Sequence, residues 1–124
     1  MMSDQELPEE VKELVRRYIH SVAQLEALLF LHKRTGERWL LEALAARLYA
    51  GRAEVADALA SLKRDGFLEC DAGMYSFAPQ AELRPVVDSL AKAYSRHLIP
   101  ITHIIHSKPR RIQEFSDAFR IRKD

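Results

Sequence analysis

The chain has 124 residues, 48% of them hydrophobic and 30% charged, which excludes a disordered or fibrous polymer and leaves room for one compact domain rather than two. Its formal charge is +1, from 19 basic and 18 acidic residues, so no global field draws it to nucleic acid or to an anionic membrane and any such affinity must come from local patches. The lone cysteine, Cys70, excludes an internal disulfide; Met1–Pro8 is acidic and polar rather than a signal peptide, and no apolar run reaches membrane-spanning length, so the expected compartment is the cytoplasm.

Pro8 suits a helix start, and Val11, Leu14, Val15, Tyr18 and Ile19 recur at helical spacing opposite Glu10, Lys12, Glu13, Arg16 and Arg17, which predicts an amphipathic helix over 8–20. Ser21 reads as an N-cap, with Gln24 placed to complete a capping box. The helix behind it carries Val22, Leu25, Leu28, Leu29 and Leu31 inward, and Thr35-Gly36 ends it. Glu37–Leu40 is a brief strand or extended link, and Leu41, Leu44, Ala45 and Leu48 form the inner face of a third helix.

After the tight turn Tyr49-Ala50-Gly51, a helix over about 52–65 directs Val55, Ala58, Leu59 and Leu62 inward and stops at Gly66. Phe67–Cys70 and Met74–Phe77 are strand-length and joined by a short loop with glycine, so they predict a hairpin closed by Pro79. Leu83, Val86, Val87, Leu90, Tyr94 and Leu98 predict a long helix that Pro100 breaks or kinks. Ile101, Ile104 and Ile105 resume the spacing, and a last short helix is expected around Ile112–Phe119. The expected fold is therefore mainly α with a small β-hairpin, in a single domain spanning 1–124.

The order helix, short strand, helix, turn, helix, hairpin over residues 21–79 resembles a winged helix-turn-helix core. The resemblance rests on Trp39–Leu48, on Val55, Leu59 and Leu62, on Gly66-Phe67-Leu68 and on Gly73-Met74-Tyr75. With an N-terminal helix at 8–20 and C-terminal helices over about 82–119, the whole is similar to the MarR-like transcriptional regulators of bacteria. That resemblance implies a DNA-binding regulator of transcription, with the helix from Arg52 as recognition helix, the hairpin as wing, and a homodimer made through the flanking helices.

Base readout needs hydrogen-bonding side chains on the outer face of that helix, and anchoring needs cations at phosphates. The outer face carries Ala53, Ala56, Asp57, Ala60, Ser61 and Arg64. The DNA-binding candidates are Arg47, Arg52, Ser61 and Arg64. Over residues 41–80 four basic residues face six acidic ones, net −2, and the hairpin loop has no Lys or Arg. A cationic surface for DNA would then draw on Lys33, Arg34, Arg38 and the C-terminal arginines. Ala53, Ala56, Asp57 and Ala60, with the acidic wing, give the alternative: a protein-interaction module whose small side chains admit a partner closely. Alanines are also simply good helix formers, and the two explanations stand side by side.

The C-terminal segment 108–124 is basic, net +3, and reads as a solvated tail or a dock for phosphate or an acidic partner. His97, His103 and His106 have no nearby carboxylate or thiol to complete a metal set and read as ordinary histidines. Cys70, between Glu69 and Asp71, reads as a quiet strand cysteine. No phosphate loop, paired metal motif or nucleophile elbow is present in the sequence, so neither catalysis nor a cofactor is expected.

Overall fold

The computed structural model describes residues 7–96 and 98–107. Six helices and three short strands follow one another: α1 (Glu9–Tyr18), α2 (Val22–Lys33), β1 (Trp39–Leu40), α3 (Leu41–Leu48), α4 (Arg52–Arg64), β2 (Leu68–Asp71), β3 (Met74–Phe77), α5 (Arg84–Arg96) and α6 (Leu98–Ser107). The architecture is mainly helical with one small antiparallel sheet, as the apolar periodicity implies.

In α1 the acidic first turn (Glu9, Glu10) and basic last turn (Arg16, Arg17) both oppose the helix dipole, while Val11, Leu14 and Val15 are buried. The helix closes at Tyr18, and Ser21 restarts the chain as the N-cap of α2, accepting from the Gln24 N–H at 3.1 Å. Gln24 does not complete the reciprocal box expected of it. Its carboxamide accepts from the His20 N–H at 2.9 Å and donates to the Tyr18 carbonyl at 2.7 Å, so it ties the end of α1 to the start of α2. It is the one polar side chain in the described core.

Most of the circumference of α2 is apolar, as befits a helix at the centre of a domain. Leu25, Ala27, Leu28 and Leu31 are buried, and α2 packs against α3, α4 and β3. It ends at Lys33, ahead of the expected Thr35-Gly36, and Gly36 takes its positive φ of 97° in the turn that follows.

The sheet runs β1-β3-β2, all antiparallel, with Trp39 opposite Tyr75 and Cys70 also opposite Tyr75. Ala72 and Gly73 connect β2 to β3 with φ of 53° and 79°, the twin positive values of the two-residue hairpin turn whose twist matches the strands. At Gly66, φ is 89°, and a Cβ there would come within 2.8 Å of the Gln80 side chain, so glycine both ends α4 and lets the post-hairpin segment close over it.

The long helix expected from Leu83 is described as α5 up to Arg96 and as α6 from Leu98 to Ser107, with Pro100 inside α6; residue 97 between them lies outside the described residues. α1 packs against both α5 and α6, burying Val87, Leu90, Ala93, Ile101, Ile104 and Ile105 with its own stripe. The flanking apolar faces expected to supply a dimer surface are therefore largely used within one chain. No described helix is long and apolar enough to cross a membrane. The short helix expected over 112–119 and the basic segment 108–124 lie outside the described residues.

Candidate nucleic-acid interface

α3, its turn and α4 form two helices joined at Tyr49-Ala50-Gly51. The turn is tight because Tyr49 adopts the left-handed conformation, φ 55°, which lets the Ala50 N–H return to the Ala45 carbonyl at 3.1 Å. Tyr49 is also 96% exposed, so nothing within the fold holds an aromatic ring there. Leu40, 46% exposed at the start of α3, is the other large exposed apolar side chain among the described residues.

On α4, Val55, Ala58, Leu59 and Leu62 are buried, as their spacing requires. Ala53, Asp57, Ala60 and Arg64 are exposed, and Ala56 and Ser61 are half-buried. The principal neighbours of α4 are α2, α3 and β2. Ala53 and Ala60 are open to solvent among the described residues. Asp57, Ser61 and Arg64 share the wall of a polar recess of about 560 Å³ with His20, Ser21 and Glu54.

The arginines selected from the sequence divide by what answers them. Arg52, the first residue of α4, places Nε at 3.2 Å and Nη2 at 2.8 Å from one oxygen of Glu42. Those hydrogen bonds are the first cause holding the Glu42 carboxyl below its usual value, so the pair stays charged at neutral pH. Arg64 lies 3.5 Å from Asp65. Beside the hairpin, Arg38 lies 3.3 Å from Asp71 and partly neutralises the acidic turn.

Arg47 has no carboxylate partner among the described residues. Its guanidinium carbon lies 5.2 Å from the centre of the Trp39 ring and 5.4 Å from that of Phe30, two rings that meet edge to face at 4.8 Å. Arg34 covers Phe30 at 3.8 Å and donates to the Phe30 carbonyl at 3.3 Å. Lys33 is exposed beside it, on the wall of a groove of about 530 Å³ floored by Leu29, Phe30, Leu48 and Ala91. At the far end of that groove the Tyr94 hydroxyl reaches Glu26 at 3.4 Å; burial first, and then the carboxylate, raise its pKa, which keeps it a donor.

This aromatic and cationic corner is what the sequence leaves hardest to see. Arg34 follows Phe30 by four residues, a spacing that brings side chains together at a helix end, but Trp39 and Arg47 join them only through the turn after α2. His32 is a second unanticipated contact: its Nε2 lies 2.8 Å from Asp88, linking α2 to α5. Cys70 is half-buried opposite Tyr75, whose hydroxyl pKa is raised by burial first and then by the sulfur beside it. His103 and His106 are exposed on α6, His97 lies outside the described residues, and no three His, Cys, Asp or Glu among the described residues are grouped to hold a metal ion. Compared with models of protein families, with curated proteins and with solved structures, the chain matches none.

Proposed function

We propose that the chain is a winged helix of the MarR-like kind and acts in the cytoplasm as a DNA-binding regulator of transcription, with α3 and α4 as the helix-turn-helix and β2–β3 as the wing. The observation that carries this reading is the unobstructed outer face of α4, set between the α3 turn and a hairpin that β1 completes into a β1-β3-β2 sheet. A major groove about 12 Å wide admits a helix, and small side chains let the backbone of α4 come close to the base edges.

The ion pairs of Arg52, Arg64 and Arg38 do not disable these residues. Each guanidinium is more than half exposed, and exposed pairs exchange partners at little cost, so a phosphate can replace Glu42 or Asp71. What the local acids do is weaken attraction at a distance, which keeps binding modest; its salt dependence comes from the cations that meet phosphates. A mobility shift with genomic fragments at low salt should give a complex that fades steeply as salt rises. Absence of any complex on duplex DNA at low salt would refute the proposal.

A second reading is favoured by the exposed Ala53 and Ala60 with Asp57 between them: α4 meets a protein partner through a small, weakly acidic face. Ala60→Arg separates the two. A cation there should tighten DNA binding, whereas it should abolish capture of a protein that seats on the alanines.

A further inference from the structure

Lys33, Arg34 and Arg47 differ from Arg52 and Arg64 of α4 in having no carboxylate within ion-pairing distance among the described residues; Arg34 and Arg47 lie over the Phe30 and Trp39 rings, and Lys33 lines the adjoining groove with Phe30 and Arg34. A guanidinium held over an aromatic ring is attracted by the ring's quadrupole and keeps N–H donors to offer an oxyanion. Arg34 uses one donor on the Phe30 carbonyl and keeps the rest. Arg52 already commits Nε and Nη2 to Glu42. Two acids stand close by without pairing to these cations: Glu37 accepts from the Trp39 indole N–H at 3.0 Å, and Glu26, on the same groove, meets the Tyr94 hydroxyl.

We propose that Lys33, Arg34 and Arg47 are the principal phosphate-backbone contact of this chain, so that duplex DNA is held at the α2–α3 corner and α4 is presented to the groove from there. This rests on the nucleic-acid reading above and changes which residues do the anchoring. Three cations with no ion pair among the described residues, against two unpaired acids, leave a net positive corner that favours a polyanion, and the planar donor edges of two arginines match phosphate oxygens. The bland role for the same residues is stacking that merely finishes the end of α2, which would make them matter for stability and not for salt-dependent binding.

The test is anisotropy of a labelled random-sequence duplex titrated with the full chain across a salt series. Each phosphate contact contributes about 0.9 to the slope of log K against log salt, so Arg34→Gln with Arg47→Gln should flatten that slope by about two. Arg52→Gln with Arg64→Gln should change it by less than about half a unit. Should the α4 pair flatten the slope and the corner pair leave it intact, the proposal is overturned while DNA binding stands. Should the unmodified chain bind no duplex, both fall; should it bind polyglutamate and not duplex, the corner belongs to an acidic protein. Circular dichroism melts establish that the variants fold, and Arg34→Lys, which keeps the charge, should retain most of the slope. Trp39 is the only tryptophan, so an independent readout needs no substitution: its fluorescence should change saturably as unlabelled duplex is added, and an unchanged signal at saturation would overturn the proposal.

Discussion

Gln24 gives the sharpest test of how the first two helices are held. It is 3% exposed, and its carboxamide is the partner of both the Tyr18 carbonyl and the His20 N–H, so water cannot easily take its place. Gln24→Leu keeps the volume and removes both bonds. Leaving a buried donor or acceptor unmet costs roughly 1–3 kcal/mol each, and the added apolar burial returns about 1–2 kcal/mol, for a net loss of about 2–3 kcal/mol. Ser21→Ala removes only the cap to the Gln24 N–H and should cost about 1 kcal/mol. At about 3–5 °C per kcal/mol for a domain of this size, thermal melts should fall by roughly 10 °C and 4 °C respectively. A Gln24→Leu chain that melts at or above the parent temperature would refute the reasoning, since it would mean that the α1–α2 joint is apolar packing and the carboxamide is incidental.

Among the described residues, Tyr49 and Ala72 sit in left-handed backbone without being glycine, and relieving each should stabilise the fold. Ala72→Asn suits the first position of the hairpin turn, and Tyr49→Gly gives up no buried surface; each should gain about 0.5–1 kcal/mol in urea unfolding, and a loss in either would show that the side chain has a hidden contact. Glu42 is held below its usual pKa by Arg52, so any stability from this pair is present above the unfolded carboxyl pKa and lost as pH falls through the lower folded value. Duplex affinity should accordingly show no step from this pair near neutral pH, and Glu42→Gln should tighten binding with no measurable change in melting temperature; weaker binding would contradict the picture of Glu42 as a competitor of phosphate. Because the stripes of α1 and α6 are buried against each other and against α5, the homodimer that the MarR-like reading implies, sought by light scattering at high concentration, should place its interface elsewhere than on these stripes, and a dimer that seats on them would contradict this packing.

Much of the fold could be read from spacing alone, because spacing reports burial. All four inward residues of α4 follow from a 3.6-residue period, and the hairpin follows from two short apolar runs around Ala72-Gly73. Gln24 could be recognised as a capping residue, but not as the fastener of α1, since its acceptor on Tyr18 depends on how the chain turns at Ile19. The candidate site was less legible than the core for a related reason. Arg52 meets Glu42 ten residues away and Arg38 meets Asp71 thirty-three away, and no local pattern reveals which cations are answered.

That distinction governs what a distant polyanion would sense. At physiological ionic strength the Debye length is about 8 Å. A guanidinium 2.8 Å from its carboxylate presents, beyond that length, only a screened dipole. The α4 face therefore has little reach, and its acids at Glu54 and Asp57 oppose phosphate at close range. Lys33, Arg34 and Arg47 have no such partner among the described residues, and the two arginines lie over aromatic rings. On the proposal above, encounter would be decided at the α2–α3 corner, and only after docking would the small-residue face of α4 matter, where its closeness to the bases can compensate for its few hydrogen-bonding side chains. A helix that looks ill-suited to find DNA can still be well shaped to lie in a groove once another part of the domain has brought it there.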